Sequence, residues 1–267
     1  MSDAAPFVGI EVIGGSECTD SESDKDEDSD ESAAYDEAAH RAALQRLRED
    51  IIVPMISAEE AERTDARLLP GFLTEEEVLH VLEAGRRMPG AVYDELMQPG
   101  DWEGHPAGPH VAGLTAKHDK NFSPSHVALN LHRGGYFAAG WPQLTAKITG
   151  AMRSQPGHWC DEGVALHIRC IELHTYAVGG GLMMVDHRDY GSALTMSILL
   201  SEAACLEGGE LLTWREGAPV VHAMGRGDAL LFHSEKVHNV SPIEKGERRS
   251  LVIELWVRQP NQRNRYE

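Results

Sequence analysis

Basic residues are scarce in this chain. Its 24 Lys and Arg face 43 Asp and Glu, giving a formal net charge of −19 over 267 residues. That balance argues against a broad nucleic-acid surface, which needs clustered cations against the phosphates. Cysteine is nearly as scarce. Cys18, Cys160, Cys170 and Cys205 are far apart and form no Cys-x-x-Cys pair, which speaks against a structural zinc site or a disulfide framework. Long apolar runs are missing as well. No stretch approaches the ~20 apolar residues of a membrane helix. The apolar run 7–13 is short and is followed by acids, unlike a secretory signal. These absences point to a reducing compartment, cytosol or nucleus, and to a protein that needs no membrane.

The negative charge is unevenly spread. Residues 17–37 hold eleven acids against one Lys, with serines between them and few apolar side chains. Such a stretch cannot bury enough surface to offset its ordering entropy, so residues 1–37 are read as a disordered acidic tail. Its ordinary role is solubility. Ser21, Ser23, Ser29 and Ser32 among the acids also suit a phosphorylated tail that binds a partner. A helical extension over 38–64 follows, with Ala38, Ala42, Leu44, Leu47 and Ile51 as its apolar stripe and Pro54 at its end.

The remainder, 65–260, is long enough for one domain with a sizeable core. Residues 68–73 read as a short strand or turn. Thr74 followed by Glu77 is a capping-box signature for a helix to about Arg87, with Val78, Val81 and Leu82 buried. Residues 88–122 read as loops with room for one strand, and His105, His110 and His118 as solvated loop histidines. A helix is expected over 141–154. Strands are expected over 165–177, 193–200, 210–214, 220–223, 228–232 and 249–257, separated by Gly-rich turns. Short strands with no helices between them indicate a mainly β protein with flanking helices and a double-stranded β-helix, or jelly-roll, core over about 165–258.

One constellation carries chemistry. Alternate residues of a strand share a face, so His187 and Asp189 can reach one metal together. His238 can supply a second imidazole. Two imidazoles and one carboxylate on one side of an ion leave the opposite positions open, which suits non-haem Fe(II). A His-x-Asp pair is common by chance. The ordered sequel makes it specific: Gly208-Gly209-Glu210, then Gly227-Asp228 opening an apolar run to Phe232, then His238, then an Arg at 248. An Arg offers two parallel donors in a fixed fork to an acidic cosubstrate. Residue pattern alone leaves Arg248 and Arg249 open for that role. Glu172, His174 and Tyr176 share one face of their strand. Glu172 and His174 are read as a hydrogen-bonded pair filling the barrel mouth.

These residues resemble the 2-oxoglutarate- and Fe(II)-dependent dioxygenases, in particular the prolyl 4-hydroxylase-like branch. The resemblance rests on Tyr176 with Gly179 and Leu182, on His187-Arg188-Asp189 with Ser192, Leu194 and Thr195, on the two glycine motifs, and on His238, Pro242, Gly246 and Arg248. It is strong over the last hundred residues or so and weak back to Leu68. It implies iron on His187, Asp189 and His238, the distal carboxylate of 2-oxoglutarate on Arg248, and a supporting hydroxyl from Tyr176. It implies Fe(II) and 2-oxoglutarate as cofactor and cosubstrate, with ascorbate as an optional reductant. The implied reaction hydroxylates an unidentified substrate, a prolyl or other protein side chain or a small molecule, with release of succinate and CO2. Two departures stand out. His187 lies eleven positions after Tyr176, slightly more than in prolyl hydroxylases proper, and Leu199 stands where some animal members carry a Tyr. Two other classes compete with this reading: a non-catalytic module keeping the fold, and a cupin-like enzyme of another metal. Cupins usually show His-x-His with a Glu, a pattern absent here.

Overall fold

The computed structural model describes residues 56–88, the backbone of 93–95, 126–154, and 163–263 apart from 183 and 185. The acidic tail, most of the helical extension and the histidines at 105, 110 and 118 lie outside the described residues.

Capping sets the first helices. Ser57 with Glu60 opens α1 (Ala58–Arg63), and Thr74 with Glu77 opens α2 (Glu75–Arg87). In both, the hydroxyl accepts from the glutamate N–H and the carboxylate accepts from the cap N–H, so two donors orphaned at the helix start are satisfied. α2 then buries Val78, Val81 and Ala84, with Leu82 packed beside them. The helix expected over 141–154 is α4 (Pro142–Arg153), and a short helix that the sequence reading did not expect, α3 (Tyr136–Gly140), precedes it. Trp141 leaves helical geometry between them (φ −132°, ψ 60°). Pro142 restarts the helix where its missing N–H has no intrahelical acceptor to lose.

Among the described residues, twelve strands follow: β1 (Arg67–Leu69), β2 (Tyr93–Glu95), β3 (His126–Asn130), β4 (His167–Tyr176), β5 (Leu194–Leu199), β6 (Glu207–Gly208), β7 (Leu211–Arg215), β8 (Ala218–His222), β9 (Ala229–His233), β10 (His238–Val240), β11 (Ile243–Lys245) and β12 (Arg248–Trp256). The large sheet has the order β1-β9-β5-β12-β4-β3-β2, the small sheet β10-β7-β8, and β11 pairs with β6. Leu182 adds one bridge to Val240 on the open side of β10. The chain passes from large sheet to small and back through β4, Leu182, β5, β7-β8, β9, β10 and β12. That alternation of antiparallel strands between two sheets is a jelly-roll. β6, β10 and β11 are too short to show a period of two, and the sequence reading did not resolve them as strands.

The two faces of the large sheet differ in chemistry. Leu251, Ile253 and Leu255 of β12, Leu194, Met196 and Ile198 of β5, Ile171 and Leu173 of β4, and Ala229 and Leu231 of β9 form one core with α2 and α4. Strand alternation turns the residues between them to the other side. There Tyr176, Leu199, Leu230 and Phe232 meet Leu211 and Val240 of the small sheet. This second face is the barrel interior, and Arg248 belongs to it. Arg249 shares a face with the leucines of β12, but it sits at the sheet's end, where its side chain is exposed beside Glu247.

The Gly227-Asp228 motif ties the N-terminal approach to this barrel. Gly227 has φ +84°, and a Cβ there would lie 2.4 Å from the Leu73 carbonyl oxygen. Leu73 N–H donates to the Gly227 carbonyl at 2.9 Å, and the Asp228 carboxylate accepts from Gly71 and Gly225, each at 2.7 Å. Only glycine allows so close an approach with that backbone. No helix among the described residues is long and apolar enough to cross a membrane.

Candidate metal centre

His187 and Asp189 come from the segment before β5, and His238 from the first position of β10. The first two were expected on a regular strand. They lie instead on an irregular segment, held by His238 N–H donating to the His187 carbonyl at 3.2 Å and Asp189 N–H donating to the Ser234 carbonyl at 2.9 Å. The side chains nevertheless converge. One donor atom from each lies within 4.8 Å of the others, and no other group of three such residues does so among the described residues. His187 Nε2 is 3.4 Å from Asp189 Oδ1, and His238 Nε2 is 3.4 Å from Asp189 Oδ2. The imidazoles meet edge-on, with centroids 4.8 Å apart and planes at 78°. Asp189 and His238 are buried and His187 is half-buried.

The surroundings orient these groups for a cation. His238 Nδ1 is 3.0 Å from the Lys236 carbonyl oxygen. A carbonyl only accepts, so Nδ1 carries the proton and Nε2 presents its lone pair beside Asp189. The Thr195 hydroxyl donates to Asp189 Oδ2 at 2.7 Å and lies 2.9 Å from the Ser234 hydroxyl. Two imidazole nitrogens and a fixed carboxylate fit a divalent transition metal. Arg188, between two of these residues, reaches the Glu235 carbonyl and Glu62. The buried Lys236 donates to the carbonyls of Ala61 and Glu62, both at 3.0 Å. α1 is thereby fastened to both loops that carry the triad. The sequence reading missed Thr195, Ser234, Arg188 and Lys236 in these roles, because contacts across such separations leave no spacing to detect.

Arg248 lies at the other end of the same interior. It is 2% exposed, its Nε donates to the Gly209 carbonyl at 3.0 Å, and one terminal nitrogen donates to the Ser250 hydroxyl at 2.8 Å. No carboxylate of the described residues pairs with it, and burial pushes its pKa below the usual arginine value. A buried cation without an anion is costly. Gly209 makes room for it: a Cβ there would lie 2.5 Å from Ile243 and 3.2 Å from the Arg248 stem. Tyr176 faces the guanidinium, with its ring 5.7 Å from the guanidinium carbon. Tyr176 and Phe232 belong to one apolar cluster, and Phe232 lies 4.7 Å from the His238 ring. The cation and the triad therefore share one lining. A cavity of about 640 Å³ is lined by Leu199, Leu206, Gly209, His222, Met224 and Arg248, and no member of the triad lines it.

Glu172 and His174 pair as expected, at 3.1 Å. The sequence reading did not single out His126, which joins them from β3, its Nε2 2.9 Å from His174 Nδ1. His222 bonds the Thr213 hydroxyl at 2.8 Å, and His233 is fully buried; neither joins the triad.

No family model matches the chain. Two curated proteins do. A PKHD-type hydroxylase of Idiomarina loihiensis is 32% identical over 26% of this chain and 33% of its own length. A PKHD-type hydroxylase of Colwellia psychrerythraea is 26% identical over 45% of this chain and 58% of its own. The chain thus spans between a third and three-fifths of the relatives it matches. Among solved structures, a 2OG-Fe(II) oxygenase family oxidoreductase of Burkholderia pseudomallei is 15% identical, with a TM-score of 0.49, covering 86% of this chain and 96% of that one. A prolyl hydroxylase of Trichoplax adhaerens is 14% identical, with a TM-score of 0.47, covering 84% and 94%.

Proposed function

We propose that this chain is an Fe(II)- and 2-oxoglutarate-dependent dioxygenase that hydroxylates a substrate. One observation carries the reading. The triad of His187, Asp189 and His238 shares an interior with Arg248, a buried guanidinium that no carboxylate of the described residues pairs with. A metal on the triad and a dicarboxylic acid against the guanidinium together complete what the barrel leaves uncompensated. The similarity to PKHD-type hydroxylases supports the same assignment.

Each residue then has a task. His187, Asp189 and His238 would hold the metal, two imidazoles and one carboxylate being a donor set that suits Fe(II). Thr195 and the Lys236 carbonyl fix the carboxylate and the His238 tautomer. Arg248 offers its fork to the distal carboxylate of 2-oxoglutarate, and Tyr176 a hydroxyl beside it. Leu182, Leu199, Leu211, Phe232 and Val240 form a buried apolar cluster in the same interior, which disfavours water there. Bound iron supplies the redox chemistry: R–H, O2 and 2-oxoglutarate give R–OH, succinate and CO2, with ascorbate as an optional reductant.

The substrate belongs to a proposed class only, a prolyl or other protein side chain or a small molecule. The acidic tail is a candidate partner-binding segment. The cytosol or nucleus is the proposed setting, consistent with cysteines that are few and far apart in the sequence. The test is direct. Purified protein with Fe(II) should form succinate from 2-oxoglutarate, and Asp189→Ala should not. Equal succinate from that variant would sink the enzyme assignment.

A further inference from the structure

α1 has almost no apolar hold on the domain, since Ala61 is its only buried residue. Its side-chain-mediated hydrogen bonds to the rest of the described residues run to the two loops that carry the triad. Neither loop is regular: 186–189 lies in no strand, and 234–237 joins β9 to β10. Lys236, 1% exposed, donates its ammonium to the Ala61 and Glu62 carbonyls, both at 3.0 Å. Those carbonyls belong to the last turn of α1, where the helix itself supplies too few donors. The backbone carbonyl of the same Lys236 lies 3.0 Å from His238 Nδ1. Arg188, between His187 and Asp189, donates to the Glu235 carbonyl and to Glu62 Oε1, the latter at 3.2 Å. Glu62 thus meets both loops at once. Its carbonyl takes the lysine and its carboxylate takes the arginine.

We infer that Lys236, Arg188 and Glu62 are positioning residues for the metal, and that through them the docking of α1 and the binding of the metal strengthen each other. The inference rests on the metal assignment of the dioxygenase reading given above. A site of three donors binds tightly when the donors are already in place, and the groups behind them set that placement. Here the groups behind the donors are themselves tied to α1. With α1 docked, Lys236 is held at its ammonium, which fixes the carbonyl facing His238. Arg188 is held at its guanidinium, which fixes the backbone between His187 and Asp189. With α1 lifted, both loops lose an outside tie, and the metal must order them as it binds. Such coupling is reciprocal. Whatever factor docked α1 adds to metal affinity, the metal adds to the docking of α1.

Lys236→Met and Arg188→Met each cut one link and leave all three metal donors, and the carbonyl of residue 236, in the chain. Mn(II) affinity, read by chelator competition, should fall about fivefold to tenfold in each, as for the loss of one net hydrogen bond. Lys236→Met also removes a buried charge, and the relieved desolvation offsets the lost bonds, so the urea midpoint of the metal-free protein should move little. Glu62→Ala in an Arg188→Met background should weaken Mn(II) no further, because the two changes remove one contact. Hydrogen exchange tests the unmutated protein without any variant. The α1 amides should exchange by local opening, faster than those of β4 and β12. Mn(II) should slow them by the same fivefold to tenfold, a factor that levels off once the site is full. Slowing that keeps growing with Mn(II) concentration would mean that α1 opens only with the whole domain, and no slowing would mean that the two events are independent. Either result, or undiminished Mn(II) affinity in both methionine variants, would overturn the inference. Failure of the unmutated protein to bind Mn(II) at all is a different result, which refutes the metal assignment and the inference with it.

Discussion

Replacing Arg248 by Met should move stability and cosubstrate binding by very different amounts. In the free protein the guanidinium is buried, with two neutral acceptors and no carboxylate partner among the described residues. Removing its charge relieves a desolvation penalty of several kcal/mol. It also leaves the Gly209 carbonyl and the Ser250 hydroxyl short of a donor, at about 1–3 kcal/mol each. The two nearly cancel, so the metal-loaded protein should change in stability by no more than about 2 kcal/mol, in either direction. Cosubstrate binding has no such cancellation. A forked pair to a buried carboxylate is lost, at about 3–5 kcal/mol, or roughly two to four orders of magnitude in affinity. Thermal shift reads both quantities. For unmutated protein with Mn(II), 2-oxoglutarate at 100 times its Kd adds about 2.7 kcal/mol, which raises Tm by roughly 5–10 °C at this size. Arg248→Met at the same concentration should show no rise, and Arg248→Lys, which keeps the charge but not the fork, a small one. An undiminished rise in Arg248→Met would refute the assignment of the distal carboxylate to this residue.

Three further outcomes follow from the same geometry. Thr195→Val keeps the shape but removes the 2.7 Å hydrogen bond to Asp189; metal affinity, read by chelator competition, should fall about tenfold or more, since outer-shell partners typically contribute that much. Gly227→Ala sets a methyl 2.4 Å from the Leu73 carbonyl oxygen at φ +84°; urea unfolding should show a loss of about 2–4 kcal/mol, and an unchanged midpoint would contradict the close approach. Burial pushes His126 down to about 2 and His233 down to about 4 from an ordinary 6.5, so the unfolded chain takes up protons first as pH falls. Their contribution is fully present above pH 6.5 and is lost below it, through about pH 4 for His233 and further for His126. Between pH 7 and 5.5 the loss should be about 2–3 kcal/mol, and a flat stability across that interval would contradict it.

The jelly-roll core and the triad were legible because both write short-range signals. Strand alternation over ten residues of β4 and nine of β12, and the His-x-Asp spacing, survive in sequence. The choice between Arg248 and Arg249 did not survive. The leucines on one face of β12 are buried against helices rather than inside the barrel, and two differently buried faces look alike to a periodicity argument. Contacts between distant residues left no trace either. Arg169 and Glu254 form a buried ion pair at 3.2 Å, shared with Ser192, across a separation of 85 positions. Lys236 meets α1 across more than 170. His126 was missed for a related reason, since a five-residue strand carries too little pattern to orient its first side chain.

The two faces of the large sheet also divide the labour between folding and chemistry. The barrel interior carries Glu172, His174, Asp189, Thr195, Arg248 and Glu254, all buried. Each is expensive to bury unless paired, so this face adds little net stability. The opposite face carries Leu, Ile, Met and Ala side chains packed under α2 and α4. There a single Leu→Ala change typically costs about 2–5 kcal/mol. Adjacent residues of one strand therefore belong to different problems: Ser250 bonds the buried Arg248, while Leu251 holds the sheet to its helices. A polar interior this dense can persist because the apolar support lies one residue away on the same strand, behind the sheet, where it cannot obstruct the pocket. This accounts for a jelly-roll whose flanking helices are structurally necessary to a site they do not line.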